Sequence, residues 1–142
     1  MKSCFQGFWL SGFLAAALAL QPTPAHPASE DRLQVGESLR VVDGDTVRLG
    51  AERIRLIGLD APELHGKCRE EKRLAMRARD RLAELLATDD VEIIRSVRLD
   101  KYRRTLAIVR ADGVDVARVL ISEGLARPYH GERRRSWCEG RS

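Results

Sequence analysis

A chain of 142 residues has room for one compact domain and not for two of ordinary size. Phe, Trp and Tyr together make up 5% of it, which argues against a protein that holds single strands chiefly by stacking bases on aromatic rings. A net charge of +4 suits a polyanionic partner without identifying one.

The chain opens with Lys2 ahead of an apolar run from Phe8 to Leu20, followed by the proline-broken stretch QPTPAHPASE. A basic start, an apolar middle and a small-residue exit read as a secretory signal peptide over 1–28, with Ala25 and Ala28 both suitable as its last residue. The run is shorter than the roughly 20 residues of a comfortable membrane span, although an uncleaved anchor is the alternative. Cutting after Ala28 leaves 114 residues with a charge of +3, and places the product in the periplasm or outside the cell. Cys4 leaves with the leader, so the mature chain keeps Cys68 and Cys138. In an oxidising compartment these two are expected to form a disulfide, worth roughly 4 kcal/mol for a loop of about 71 residues.

Residues 29–33 read as a short linker, and the domain proper as 34–130. Leu39, Val41, Val47 and Leu49 interleave with Arg40, Thr46 and Arg48 at the period of two expected of half-buried strands, with turn signals at Asp43-Gly44 and Gly50-Ala51. Glu52 to Leu59 predicts a third strand, stopped by Pro62. From Glu70 to Ala87 the period changes: Leu74, Ala78, Leu82, Leu85 and Leu86 recur at helical spacing, opposite a solvated stripe of Arg69, Arg73, Arg77 and Arg81. Val91–Leu99 and Thr105–Arg110 predict two more strands around the loop 100–104. A short helix follows from Val116 to Glu123, with Asp115 as N-cap and Gly124 as stop. The tail 131–142 is too polar for a core and is expected to be tied down only through Cys138. Three strands, a helix, two strands and a helix make a mainly β chain with two helices. A five-stranded OB-fold β-barrel is the best match, with a generic α+β sandwich as the alternative.

Three segments stand out by charge: VVDGDT (41–46), RLIGLDAPE (55–63) and DKYRR (100–104). Asp45 follows a turn, Asp60 ends a strand and Glu63 lies three residues further on. Carboxylates at the ends of adjacent strands can converge on one ion, and an oxygen-only donor set favours a hard cation such as Ca²⁺ over zinc. With Arg55 and Arg104 these groups would suit phosphodiester cleavage: guanidinium and metal charge against the phosphate, and a Glu to take a proton from water. Each piece alone also has an ordinary reading, as a hairpin turn, a strand end or a surface arginine. His65 and His130 lie in predicted loops and give no His-pair chemistry.

VVDGDTVRL, RLIGLDAPE, DKYRRTLA and VARVLISEGLA, in this order and at this spacing over roughly 33–129, resemble the staphylococcal nuclease (thermonuclease) family. The resemblance implies an OB barrel and a Ca²⁺-dependent phosphodiesterase that acts on DNA and RNA and leaves 3′-phosphates. It places Arg55 and Arg104 on the phosphate-binding arginines and Glu63 on the general base. Asp45 and Asp60 fall on the side-chain calcium ligands, Ala61 on a ligand through its carbonyl, Lys101 and Tyr102 beside the nucleotide pocket, and Tyr129 near a substrate-stacking tyrosine. Asp43 matches a supporting acidic position. The sequence departs from the family at Arg103 and Thr105, where the prototype has glycines, and shows no counterpart of its long C-terminal helix. The Cys68–Cys138 bridge is expected to pin the tail against the active-site side instead. A nucleic-acid-binding OB domain that does not cut, and a domain that binds Ca²⁺ only for stability, are the rival readings. No stable protein partner is expected, and the chain reads as a monomer.

Overall fold

A computed structural model of the chain describes residues 30–32 and 38–138; the leader predicted over 1–28 lies outside the described residues. The elements are β1 (Glu30–Arg32), β2 (Leu39–Asp43), β3 (Thr46–Leu49), β4 (Glu52–Leu56), β5 (Leu59–Asp60), α1 (Arg69–Leu85), β6 (Val91–Leu99), β7 (Thr105–Ala111), β8 (Val114–Asp115), α2 (Val116–Ser122) and β9 (Arg127–Pro128). The protein is thus mainly β with two helices, as the hydrophobic periods predict.

β2, β3 and β4 form an antiparallel meander in which Val41 faces Val47 and Val47 faces Ile54. β4 then runs parallel to β7, with Arg55 opposite Leu106, and β7 pairs antiparallel with β6. The main sheet has the order β1-β6-β7-β4-β3-β2, with β8 added on β7. This differs from the expected closed five-stranded barrel: the sheet has seven strands, and among the described residues no pairing joins its edge strands β1 and β2. Those two edges are consecutive in the chain. Glu30–Arg32, read from the sequence as linker, pairs with Glu92–Ile94 of β6.

The predicted third strand, Glu52 to Leu59, divides. Gly58 has a φ of +87°, a conformation glycine adopts without a Cβ clash, and the chain turns there out of the main sheet. Its continuation β5 pairs with β9 instead, with Leu59 opposite Pro128 and Asp60 opposite Arg127. That small ladder brings the C-terminal tail to the Asp60–Glu63 segment.

Val47, Ile54, Leu56, Leu59, Leu82, Ile93, Val109 and Leu120 are buried between the sheet and the helices. α1 turns Ala75, Ala78 and Leu82 inward, while Arg81 on its far side reaches Glu123 at the end of α2. The N-terminal turn of α1 carries Glu70 and Glu71, which suits the positive end of the helix dipole. Glu71 accepts the backbone N–H of Lys67 at 2.8 Å. In α2 the Asp115 side chain accepts the N–H of Ala117, as the N-cap assignment requires.

Candidate active site

The Asp43-Gly44 turn lies against α1 so closely that a Cβ on Gly44 would fall 2.8 Å from Ala78 Cβ and 2.9 Å from Ala61 Cβ. Small residues at 44, 61 and 78 therefore seat the acidic turn. Beyond the turn, Asp45 is 4% exposed; its carboxylate accepts the Thr46 hydroxyl at 2.8 Å and ion-pairs with Arg55. Arg55 projects from β4, buried, and donates from Nη2 to the Leu59 carbonyl at 3.2 Å. Its nearest approach to Asp60 is 4.0 Å. Burial lowers the Arg55 guanidinium, with further depression from the Arg134 and Arg104 charges, to about 10. It still carries its charge at neutral pH.

Asp60 ends β5 and is 4% exposed, yet its Oδ1 atom accepts no hydrogen bond. A buried carboxylate oxygen without a donor is costly unless a cation or ligand answers it. The guanidinium of Arg134 lies 3.0 Å away as an ion-pair partner, outside hydrogen-bonding geometry. Glu63 is half-exposed and accepts from Arg134 Nη1 at 2.7 Å. Desolvation raises the Asp43 carboxyl, and the neighbouring Glu63 adds to the rise. The buried donor set of Asp45, Asp60 and the adjacent Ala61 consists of oxygen atoms alone, and fits a hard divalent cation. Cys68, Glu71 and Cys138 also cluster, but a disulfide between the two cysteines leaves no thiolate there to bind metal.

Arg104 leaves the 100–104 loop at the start of β7 and is held by Asp100, whose Oδ2 accepts Arg104 Nε at 2.7 Å. Asp100 also accepts the backbone N–H groups of Tyr102 and Arg104; these bonds and the guanidinium charge outweigh burial and hold its carboxyl below the usual range. Arg103, where the prototype has glycine, takes a φ of +61° to close this loop. Lys101 and Tyr102 are exposed beside it, with the Lys101 ammonium 5.0 Å from the Tyr102 ring centre. Tyr129 follows β9, anchored by its N–H to the Gly58 carbonyl at 3.0 Å. A cleft of about 950 Å³ gathers Arg55, Glu63, Lys101, Tyr102, Arg104 and Tyr129 along its walls.

The cleft thus brings together six of the residues singled out from the sequence; Asp45 adjoins it through the ion pair with Arg55, while Asp60 and Ala61 line a neighbouring pocket that shares Glu63 with it. Arg134 was not singled out, and the tail is held by more than the Cys68–Cys138 disulfide expected for it. Arg127 stacks on the Trp137 ring, 3.7 Å from its centre, and donates to the Ser136 carbonyl, while Arg134 binds Asp60 and Glu63. The run GERRRSWC signals a basic tail, but not which of its arginines turns inward.

Residues 53–139 match the family model described as "Staphylococcal nuclease homologue". The chain belongs to this family. The match runs from β4 to just past Cys138, so it takes in both the cleft and the tail that borders it. Among curated relatives, the "Succinoglycan biosynthesis protein ExoI" of Rhizobium meliloti is 32% identical over 120 residues, covering 81% of this chain and 60% of its own. "Endonuclease YhcR" of Bacillus subtilis is 31% identical over 141 residues, covering 89% of this chain and 12% of its own. The "SPbeta prophage-derived endonuclease YokF" of the same organism is 34% identical over 94 residues, covering 62% and 32%. The chain thus spans less than two thirds of the length of each of these relatives.

Proposed function

We propose that this chain is an exported, Ca²⁺-dependent nuclease that hydrolyses phosphodiester bonds of DNA and RNA and leaves 3′-phosphates. The observation that carries this reading is the meeting of Arg55, Glu63 and Arg104 in one cleft beside the buried carboxylates Asp45 and Asp60. Membership of the staphylococcal nuclease homologues and the two relatives named as endonucleases support it. The leader-like start supports export, and β1 and β2, the two edges of the sheet, would meet in a closed OB barrel.

In this reading Glu63, reachable from solvent, takes the proton of the attacking water as general base. Arg55 and Arg104 bind the non-bridging phosphate oxygens and oppose the negative charge that grows there. Lys101 and Tyr102 border the strand on one side of the cleft, and Tyr129 offers a ring face to a base. Asp45, Asp60 and the Ala61 carbonyl would hold Ca²⁺, with Asp43 in support. The ion would supply positive charge next to the scissile phosphate. The protein is expected to act as a monomer without a stable protein partner.

Digestion of heat-denatured DNA by the oxidised mature protein, in millimolar Ca²⁺ against a chelator control and with Glu63→Gln alongside, tests the reading. Cleavage that requires both Ca²⁺ and Glu63 is the expected result. Salt-sensitive DNA binding without cleavage would replace the enzyme with a binding module; a Ca²⁺-raised Tm with no DNA affinity would leave only a calcium-stabilised domain.

A further inference from the structure

The segment between Tyr129 and Cys138 is a strap pinned at both ends. At its start β9 pairs with β5 and Tyr129 bonds to Gly58; at its end Cys138 is joined to Cys68, just before α1. Stacking of Arg127 on Trp137 draws the two ends together. Between them Arg134 turns inward onto Asp60 and Glu63, with its guanidinium 5.8 Å from the Tyr129 ring centre. It forms part of the wall of both the 950 Å³ cleft and a neighbouring one of about 630 Å³.

Resting on the nuclease reading above, we propose that Arg134 is a third substrate-binding arginine, which contacts the phosphodiester backbone, and that the Cys68–Cys138 disulfide positions it. Three features fit it to that task. Its side chain is 40% exposed, so a strand in the cleft can reach it. Only Nε and Nη1 are engaged, and Nη2 donates no hydrogen bond among the described residues, so part of the planar donor fork stays open to an anion. Its two carboxylate partners are also the proposed metal ligand and the proposed base. Were Asp60 to hold a cation, Arg134 Nε would be freed from that oxygen as a second donor for phosphate. The bond from Nη1 to Glu63 places the guanidinium beside the proposed base.

The test uses a deoxynucleoside 3′,5′-bisphosphate, which has two phosphates and no diester to cut, titrated calorimetrically in Ca²⁺. Arg134→Ala is expected to weaken binding about tenfold, equivalent to ~1.4 kcal/mol, and Arg134→Lys by less. On single-stranded DNA, Arg134→Ala is expected to raise KM by a similar factor with kcat within about threefold of wild type. The Cys68→Ser/Cys138→Ser protein should show the same weakening, and adding Arg134→Ala to it should change binding by less than about twofold. Unchanged bisphosphate binding in Arg134→Ala would overturn the assignment. So would tighter binding with faster turnover, which would make Arg134 an inhibitory plug. If wild type cleaves DNA while Arg134→Ala binds normally, this inference alone falls; if wild type neither binds nor cleaves, the nuclease reading falls with it.

Discussion

Asp45, just before β3, and Arg55 on β4 form a buried ion pair, each side chain 6% exposed, and the two segments are locked together by the Leu56 N–H to Asp45 carbonyl bond at 2.9 Å. Charge this deep is tolerated because it is paired. Asp60 lies 4.0 Å from the same guanidinium and 3.0 Å from that of Arg134.

Arg55→Ala therefore leaves the buried Asp45 carboxylate without its cation, and is expected to cost about 3–5 kcal/mol. Urea unfolding in chelator should show a lower midpoint at unchanged m. Glu63→Gln, at a half-exposed position, should unfold within about 0.5 kcal/mol of wild type while turnover falls roughly 10²–10⁴-fold. A midpoint for Arg55→Ala equal to wild type would mean that the pair is not integral to the fold.

Calcium should stabilise the protein through Asp60. At a concentration 100 times its Kd, one bound ion adds about 2.7 kcal/mol to the folded state and raises Tm by several degrees. In Asp60→Asn the shift should vanish, because the buried donorless oxygen is then an amide rather than a carboxylate. A full Ca²⁺-dependent rise in Tm in Asp60→Asn would move the ion elsewhere.

Glu52 ties three strands together: it accepts from Arg95 on β6 at 2.9 Å and from the Thr105 hydroxyl on β7 at 2.7 Å. Hydrogen bonds from Arg95 lower its carboxyl against the opposing effect of burial, and Thr105 lowers it further. A carboxyl depressed in the folded state contributes stability above its unfolded value and loses that contribution as pH falls through the folded one. Glu52→Gln should thus be less stable than wild type at pH 7 by about 0.5–1 kcal/mol, with the gap closing below the ordinary carboxylate range. Chemical denaturation at pH 7 and pH 3 checks this; a gap that widens on acidification would contradict it.

Gly44→Ala would force a methyl into Ala61 and Ala78, both fully packed, at distances below ordinary contact. The expected cost is about 1–3 kcal/mol, together with weaker Ca²⁺ binding as the turn bearing Asp43 and Asp45 moves outward. Isothermal titration with Ca²⁺ beside a thermal melt reads both effects. Wild-type values for the two would show that the turn has slack which the packing distances deny.

Much was legible in the sequence because it depends on neighbours in the chain. Alternating Leu39, Val41, Val47 and Leu49 specify half-buried strands wherever they fold, and the 3.6-residue recurrence of Leu74, Ala78 and Leu82 specifies a helix with one buried face. The acidic and arginine positions of the cleft were legible as short motifs at strand ends and in the 100–104 loop. What only the tertiary structure decided involves contacts between distant parts of the chain. Gly58 has no side chain to betray that the strand turns there to pair with β9, and Glu30–Arg32 has no pattern to betray its place on β6. Arg134 lies 71 residues from Glu63 in a run of three similar arginines. Its selection over Arg133 and Arg135 comes from where the β5–β9 ladder and the disulfide hold the strap. That register is set by backbone pairing and a covalent link, and local side-chain preference carries no trace of it.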